Sequence, residues 1–341
     1  MFNLENLVRK NIKELVPYSS ARNEFSGVDG IFLDANENPY GNLNRYPDPY
    51  QTELKKALGN IKAIPIENLF LGNGSDEVID LLFRIFCRPG VDKALTFSPT
   101  YGMYQVSAEI NDIELIHEPL NQNFQIDFVS LKLRLHDQNL KLIFICSPNN
   151  PTGNSIYQIE EILHNFSGIV VVDEAYIDFS PEPSWSMRLS EAPNLVVLQT
   201  LSKAWGLAAI RLGIGIANPQ IIKYLNKVKP PYNISKRNQE AALEAIENHI
   251  DFENAKNQIL EQKKWLKNEL VNLKSVKKIY PSDANFLLVE VGNAELFYNQ
   301  LVERAIITRN RNKQIPGCIR ITVGTEIENQ KLVMAIKELE K

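Results

Sequence analysis

Short apolar stretches alternate with amphipathic stretches along most of this chain. Four apolar stretches, short and largely β-branched, predict buried strands at residues 93–97, 142–146, 169–173 and 195–198. Between these stretches apolar residues recur at helical spacing, for example from Val78 to Phe86. Short apolar strands separated by helices predict an α/β fold, with a mostly parallel sheet flanked by helices on both faces.

The pattern changes near both ends of the chain and predicts three units. Apolar residues from Leu4 to Leu15 have helical spacing that Pro17 ends, so we interpret residues 1–30 as an N-terminal arm. Residues 31–245 make up the predicted large domain. Residues 246–341 are predicted to form a smaller C-terminal α+β domain. A helix-rich stretch at 237–273 is followed there by predicted strands at 284–291, 306–309 and 318–323 and by helices at 295–303 and at the C-terminus.

Composition narrows the class of protein without naming a function. Of 341 residues, 44% are apolar and 23% are charged, which is ordinary for a globular protein with a large core. The formal net charge of −4 gives no electrostatic reason to expect nucleic acid as a partner. No apolar run approaches the roughly 20 residues that span a bilayer, and no signal peptide is evident, so we expect no membrane partner and a cytoplasmic location.

The cysteines agree with a cytoplasmic location, and the histidines bear on metal binding. Cys87, Cys146 and Cys318 are far apart and form no CxxC motif, which is typical of free thiols in a reducing compartment. The four histidines have no metal-ligand spacing. We therefore expect no metal site.

Lys203 directly follows the predicted strand at 195–198. Burial disfavours the ammonium form, so a lysine in this place can be neutral, nucleophilic and able to form a Schiff base with an aldehyde. Ser202 and Arg211 add a hydroxyl and a fixed cation, which suit a phosphate. Taken alone, Lys203 is better interpreted as an ordinary lysine at the end of a strand. With the rest of the chain, it suggests the aldehyde cofactor pyridoxal phosphate.

Polar residues follow two further predicted strands and meet the other demands of that cofactor. Asn150 follows strand 142–146, and Asp173 ends strand 169–173. In open α/β sheets, ligands bind beyond the carboxyl ends of the strands. Asp173 is predicted to keep the pyridine nitrogen protonated, while Asn150 and Tyr176 are predicted donors to the phenolic oxygen. Individually, Asp173 can also be a helix cap and Asn150 a turn residue.

A glycine-rich turn supplies a candidate site for the cofactor phosphate. Gly74, Ser75 and Asp76 precede the apolar helical stripe, and Ser75 or Asp76 is predicted to cap that helix. Free N–H groups at a helix N-terminus suit a phosphate, although a capped turn without a ligand is commoner when such a motif stands alone. Tyr101 is predicted to lie on the ring of the cofactor. The alternative interpretation is that Tyr101 is an aromatic residue of the core.

The cofactor motifs resemble those of one enzyme family. Four segments and Arg211 resemble the fold-type I, class I/II aminotransferases that depend on pyridoxal phosphate: GNGSDE (72–77), SPNNPTG (147–153), DEAY (173–176) and TLSKAWGL (200–207). A finer pattern is similar to the histidinol-phosphate aminotransferase branch, at LDANENPYG (33–41), NRYPD (44–48), PTYGMY (99–104), DEAYIDF (173–179) and GCIRITVG (317–324). Trp205 departs from the phenylalanine that is usual there.

The resemblance implies a reaction, an assembly and further site residues. It implies a homodimer in which Tyr46 reaches the partner's cofactor phosphate, and it implies that Lys203 moves a proton during transamination between histidinol phosphate and 2-oxoglutarate. Arg320 is implied to hold the carboxylate of glutamate or 2-oxoglutarate. Arg309 and Tyr18, with Asn36 nearby, are implied to receive the phosphate of histidinol phosphate. For Arg309 the alternative is a solvated cation in the basic stretch 309–313.

Other functions on the same scaffold stay open at this point. One alternative is transamination of aromatic amino acids, and another is decarboxylation of threonine phosphate. A non-catalytic regulator that senses the cofactor is disfavoured. Such regulators carry an N-terminal DNA-binding domain, whereas here the cofactor-domain motifs begin by residue 33 and every catalytic position is filled.

Overall fold

The structure, a computed structural model, describes residues 2–18 and 30–341. Its strands are β1 Leu69–Asn73, β2 Lys93–Ser98, β3 Glu114–Pro119, β4 Leu140–Cys146, β5 Ile169–Asp173, β6 Leu195–Thr200, β7 Leu212–Ala217, β8 Val276–Ile279, β9 Phe286–Val291, β10 Arg309–Asn310 and β11 Cys318–Thr322. Within the described ranges its α-helices are α1 Leu4–Leu7, α2 Lys10–Glu14, α3 Thr52–Lys62, α4 Ser75–Phe86, α5 Met103–Ile110, α6 Phe128–Leu131, α7 Ile159–Asn165, α8 Pro219–Val228, α9 Lys236–Glu247, α10 His249–Leu270, α11 Ala294–Glu303 and α12 Glu326–Leu339.

The larger sheet has seven strands in the order β1-β7-β6-β5-β4-β2-β3. The pairs β2–β3, β2–β4, β4–β5 and β5–β6 are parallel, whereas β7 runs antiparallel to both of its neighbours. The predicted α/β fold with a mostly parallel sheet is therefore confirmed. Parallel pairing places the carboxyl ends of β4, β5 and β6 at one edge of the sheet.

Both faces of this sheet are covered by helices. Alternate residues of β6 enter different apolar clusters, Leu195 and Val197 on one face and Val196 and Leu198 on the other. Helices α3, α7 and α9 pack on the first face, and α4, α5 and α8 pack on the second. Each fully buried Val or Leu side chain stabilises the fold by about 1.5–3 kcal/mol, so the two-sided burial holds the strand ends that carry polar residues.

The smaller sheet is antiparallel, with the order β10-β11-β9-β8. One of its faces packs against α10, α11 and α12 through residues such as Val289 and Ile321. The predicted strand at 306–309 is wrong in its extent, because β10 contains only Arg309–Asn310. The helix-rich stretch predicted at 237–273 contains two helices that meet at Asn248.

The N-terminal arm contains α1 and α2, and its buried residues Leu4, Val8 and Ile12 join the apolar cluster beside α4. Residues 19–29 of the predicted arm lie outside the described residues, and the three predicted domain ranges stay predictions. Among the described residues, no helix combines the length and the apolar character that crossing a membrane requires. In the same part of the chain, no cluster of His, Cys, Asp and Glu side chains is arranged to hold a metal ion.

Candidate active site

A cavity of about 640 Å³ lies at the carboxyl ends of β4, β5 and β6, and residues of the smaller sheet line its other side. Most of the predicted site residues line it, namely Gly74, Ser75, Asp76, Tyr101, Asn150, Asp173, Tyr176, Ser202, Lys203, Arg211, Arg309 and Arg320. Tyr18, Asn36 and Tyr46 do not.

Asp173 is the last residue of β5, and its carboxylate is held in one orientation. Its side chain is buried, Oδ2 accepts a hydrogen bond of 2.7 Å from the Tyr104 hydroxyl, and Oδ1 accepts one of 3.1 Å from the Ala175 N–H. Burial raises the pKa of Asp173 to about 6, although the two hydrogen bonds oppose that rise. A carboxylate so placed is suited to pair with a cationic ring nitrogen in the cavity.

Tyr104 was assigned no role from the sequence, although it lies in the 99–104 motif. It belongs to α5, is fully buried and stacks on Phe144 with 5.0 Å between the ring centroids. Its neighbour Tyr101 meets it edge-on at 5.6 Å and donates a hydrogen bond of 3.1 Å to Asp76 Oδ1. The spacing of Tyr104 in its helix marks a core residue, so no local signal reveals the bond to Asp173.

Lys203 lies in the turn after β6, and its side chain opens into the cavity, with Nζ 5.9 Å from the centroid of the Tyr176 ring. Burial and the positive charge of Arg320 lower the pKa of Lys203, while the negative charge of Asp173 opposes the shift. The direction is the one predicted for a lysine directly after a buried strand. The turn carries Trp205, which stacks on Phe252 of α10 with a centroid separation of 4.0 Å.

Residues 74–76 and Arg211 form what we call the anion cradle. Gly74 has a φ of +75° and is the N-cap of α4, without a side-chain capping bond. The prediction that Ser75 or Asp76 caps this helix is therefore wrong: both lie in its first turn, because the backbone turns at the glycine instead. Gly74 N–H donates to the Arg211 carbonyl at 2.7 Å, and Arg211 Nη2 lies 3.5 Å from Asp76 Oδ2.

Two glycines, Gly74 in the anion cradle and Gly213 behind it, allow the close packing of the cradle. A Cβ on Gly74 would lie 2.6 Å from Arg211 Nη2, and a Cβ on Gly213 would lie 2.2 Å from the backbone of residue 74. Ser202 lies beside the cradle, with its Oγ 2.9 Å from Thr200 Oγ1. Free helix N–H groups, a guanidinium and a hydroxyl together fit the phosphate of the predicted cofactor.

Asn150 joins the two sides of the cavity. Its side chain is buried in the loop after β4, and its Oδ1 accepts a hydrogen bond of 2.5 Å from Arg320 Nη1. The Arg320 guanidinium also lies 5.1 Å from the centroid of the Phe286 ring. Its Nε is buried and has no hydrogen-bond partner among the described residues. An unpaired buried N–H group of this kind suits an anionic acceptor in the cavity.

Arg309 lies opposite Arg320 in the pairing of β10 with β11, and both side chains line the cavity. The Arg309 side chain is also exposed to solvent. Arg311 lines the cavity as well, although the sequence analysis assigned it only to the basic stretch. The signal that could have found it is the two-residue repeat of a strand, which puts Arg311 on the same face as Arg309.

Tyr46 and Asn36 line a separate groove of about 570 Å³, which also contains Arg45 and Arg237. Tyr46 stacks on Tyr232 with 4.4 Å between the ring centroids. Tyr18 is exposed and lines neither space. Within one chain, these predicted residues are therefore not brought to Lys203.

The fold and the lysine after β6 are those of the aminotransferases of class I and II. The chain belongs to that family, whose model matches residues 28–336. The chain is 52% identical to the histidinol-phosphate aminotransferase of Cytophaga hutchinsonii, over 98% of this chain and 99% of that protein. It is 50% identical to the enzyme of the same name from Parabacteroides distasonis, over 99% of each chain.

Solved structures with the same architecture agree with that family. The histidinol-phosphate aminotransferase from Clostridium acetobutylicum has a TM-score of 0.80 and 25% identity, over 88% of this chain and 91% of that one. The histidinol-phosphate aminotransferase from Sinorhizobium meliloti, in complex with pyridoxal-5'-phosphate, has a TM-score of 0.78 over 86% of this chain and 84% of that one. At 21% identity the latter likeness shows the fold alone.

Proposed function

We propose that this chain is a pyridoxal-phosphate-dependent transaminase of histidine biosynthesis. It interconverts histidinol phosphate and 2-oxoglutarate with imidazole acetol phosphate and glutamate. The observation that carries the proposal is one cavity in which Lys203 and buried Asp173 lie on the large-sheet side and Arg309 and Arg320 lie on the other. Relatives about 50% identical over nearly the whole chain, named for that reaction, support the choice of substrate.

The residues of the cavity fit the cofactor. Lys203 would hold its aldehyde and Asp173 its pyridine nitrogen, and the anion cradle with Ser202 would hold its phosphate. Its other contacts would come from the ring face of Tyr101 and from Asn150 and Tyr176 at the phenolic oxygen. When bound, the cofactor supplies an electron-accepting ring that stabilises negative charge on the substrate carbon.

Lys203 acts as the proton carrier of the reaction. Its lowered pKa increases the share of neutral amine, so Nζ could take the proton from the substrate carbon that bears the nitrogen and deliver a proton to the aldehyde carbon of the bound cofactor. Asp173 acts electrostatically, because its fixed carboxylate keeps the ring nitrogen protonated. Tyr104 holds that carboxylate in place through its hydrogen bond of 2.7 Å.

Arg320 binds the carboxylate of glutamate or 2-oxoglutarate, oriented by its bond to Asn150. A guanidinium suits a carboxylate because it can donate two parallel hydrogen bonds. The same end of the cavity receives the phosphate of histidinol phosphate, for which Arg309 supplies a second cation. Replacement of Arg320 by alanine is expected to raise the KM for 2-oxoglutarate strongly.

We propose further that the enzyme is a homodimer of the cytoplasm. A second copy would bring Tyr46, with Asn36 and Tyr18, to the cofactor and substrate of its partner, which accounts for their distance from Lys203 within one chain. Exposed apolar side chains at Val16, Tyr18 and the segment 31–43 support an interface there. Three cysteines that are all buried and unpaired suit a reducing compartment.

A panel of half-reactions tests the function. Holoenzyme is mixed in turn with histidinol phosphate, glutamate, phenylalanine and threonine phosphate, and the absorbance change of the bound cofactor is followed. Histidinol phosphate and glutamate should react fastest. Faster reaction with phenylalanine would instead indicate an aromatic transaminase, and carbon dioxide release from threonine phosphate a decarboxylase.

Covalent trapping tests the site separately. Borohydride reduction followed by peptide mass mapping should place the cofactor on the peptide that contains Lys203. The Lys203→Ala variant, checked for native folding by circular dichroism, should carry no label and show no turnover. A label on another lysine would contradict the assignment of Lys203.

A further inference from the structure

Arg311 continues the edge of the smaller sheet beyond β10. Its N–H donates a hydrogen bond of 3.0 Å to the Cys318 carbonyl, so the backbone stays paired with β11. Side chains two residues apart on a strand point to the same face, and residues directly opposite share that face. Arg309, Arg311 and Arg320 therefore lie together, while Ile319 and Ile321 point to the helices behind the sheet.

The described residues satisfy only part of the hydrogen-bonding capacity of the Arg311 guanidinium. Nη1 donates a hydrogen bond of 3.2 Å to Gln314 Oε1, a neutral side chain that also lines the cavity. Nε is buried and has no hydrogen-bond partner among the described residues. An N–H group left in that state costs about 1–3 kcal/mol, so a bound acceptor would relieve the cost.

The charges around Arg311 favour an anion. Burial and the positive charges of Arg320 and Arg309 lower its pKa to about 10, and within the described residues no carboxylate is among the groups that perturb it. At neutral pH the guanidinium still carries its charge. Arg309, Arg311 and Arg320 have no carboxylate partner among the described residues, and an anion bound between them would offset their mutual repulsion. A phosphate monoester carries about 1.5–2 negative charges at pH 7, against one for a carboxylate.

We propose that Arg311 is a specificity-determining residue that binds the phosphate group of the amino donor and contributes much less to binding of glutamate. Arg320, held by Asn150, is sufficient for the single charge of a carboxylate. The phosphate needs the additional donors that Arg309 and Arg311 present, and Gln314 orients the Arg311 fork toward it. This assignment rests on the proposed function of the same cavity.

The test compares two half-reactions in one set of holoenzymes. Single-turnover kinetics with histidinol phosphate and with glutamate are measured for the wild type, Arg311→Gln, Arg311→Lys and Lys313→Gln. A charge-assisted hydrogen bond contributes about 1.5–3 kcal/mol, so Arg311→Gln should lower the second-order rate constant of the histidinol phosphate half-reaction about 10- to 150-fold, mainly through a higher apparent Kd. For glutamate the loss should stay below about 3-fold.

Lys313→Gln is the matched control, because it removes the same charge from an exposed neighbour that does not line the cavity. It should behave like the wild type in both half-reactions. Arg311→Lys should recover part of the loss, since it restores the charge without the fork. Inorganic phosphate, as a competitive inhibitor of the histidinol phosphate half-reaction, should bind the Arg311→Gln holoenzyme about 10-fold or more weakly, with no change in Lys313→Gln.

Two failures are distinguishable. If the wild-type holoenzyme does not react with histidinol phosphate, the proposed function is wrong. The proposed role of Arg311 is wrong if the wild type reacts and Arg311→Gln, with an unchanged melting temperature, loses the same activity toward both donors. It is also wrong if that variant loses activity toward neither donor.

Discussion

Replacing Tyr104 with phenylalanine should make cofactor binding strongly dependent on pH. The change removes one hydroxyl from a fully buried side chain and keeps the ring that stacks on Phe144. Asp173 then loses its 2.7 Å hydrogen bond and keeps only the N–H of Ala175. Because the lost bond favours the ionised carboxyl, the pKa of Asp173 must rise above its value of about 6.

The size of the effect follows from the strength of that bond. A hydrogen bond to a charged group contributes about 1.5–3 kcal/mol, which corresponds to roughly 1–2 pKa units and places the pKa of Asp173 in the variant near 7–8. If the cofactor binds the ionised carboxyl, affinity falls in proportion to the ionised fraction. At pH 7 that fraction falls by a factor of about 2–15, and at pH 8.5 by no more than about 1.5.

The assay is titration of apo-enzyme with pyridoxal phosphate between pH 6 and 9, read by absorbance, for the wild type and Tyr104→Phe. Tyr101→Phe is the matched control, since its hydroxyl bonds Asp76 rather than Asp173. The ratio of variant to wild-type Kd should fall toward one as the pH rises for Tyr104→Phe, and should not change with pH for Tyr101→Phe. A ratio for Tyr104→Phe that is equal at pH 7 and pH 8.5 would refute the reasoning.

Three further perturbations test other parts of the structure. Gly213→Ala places a Cβ 2.2 Å from the backbone of the anion cradle, so it should lower the free energy of unfolding by about 1–3 kcal/mol and weaken cofactor binding. Gly102→Ala is the control: its Cβ would have no atom within 4 Å, and the urea midpoint should not change. Mixing Lys203→Ala with Tyr46→Ala chains should form hybrid dimers with one intact site and more activity than either parent; no gain despite verified exchange would contradict a shared site. Burial raises the pKa of Glu174 from 4.5 to about 7. Between these two pH values the folded state holds a proton that the unfolded chain has released. The free energy of unfolding should therefore fall by about 3 kcal/mol as the pH rises through that range. Urea unfolding should show this fall as the difference between the wild type and Glu174→Gln, since Asp173, whose pKa burial also raises, contributes to the slope of both proteins; no difference between them would mean that Glu174 does not titrate in that window.

The site residues on the large-domain side of the cavity could be predicted from the sequence because each is marked by the residues next to it in the chain. Asn150, Asp173 and Lys203 each follow an apolar stretch, and parallel strands bring their carboxyl ends to one edge whatever packs around them. The class of fold follows from the same periodicity. The cap of α4 was mispredicted at Ser75 or Asp76 because the backbone turns at Gly74, which has a φ of +75°, and the Ser and Asp side chains are not used for capping.

Tertiary structure decided which distant side chains meet. Tyr104 has the spacing of a core residue, and only the packing of α5 on the sheet brings its hydroxyl to Asp173, 69 positions away. Arg311 lies in a basic stretch that is typical of a solvated surface; its two-residue spacing from Arg309 predicts a shared face, but the pairing of this edge with β11 decides that the face lines the cavity. Hydrophobic periodicity specifies the elements and their buried faces. Contacts across the cavity depend on how two sheets are placed relative to each other, and that placement is a property of long-range packing.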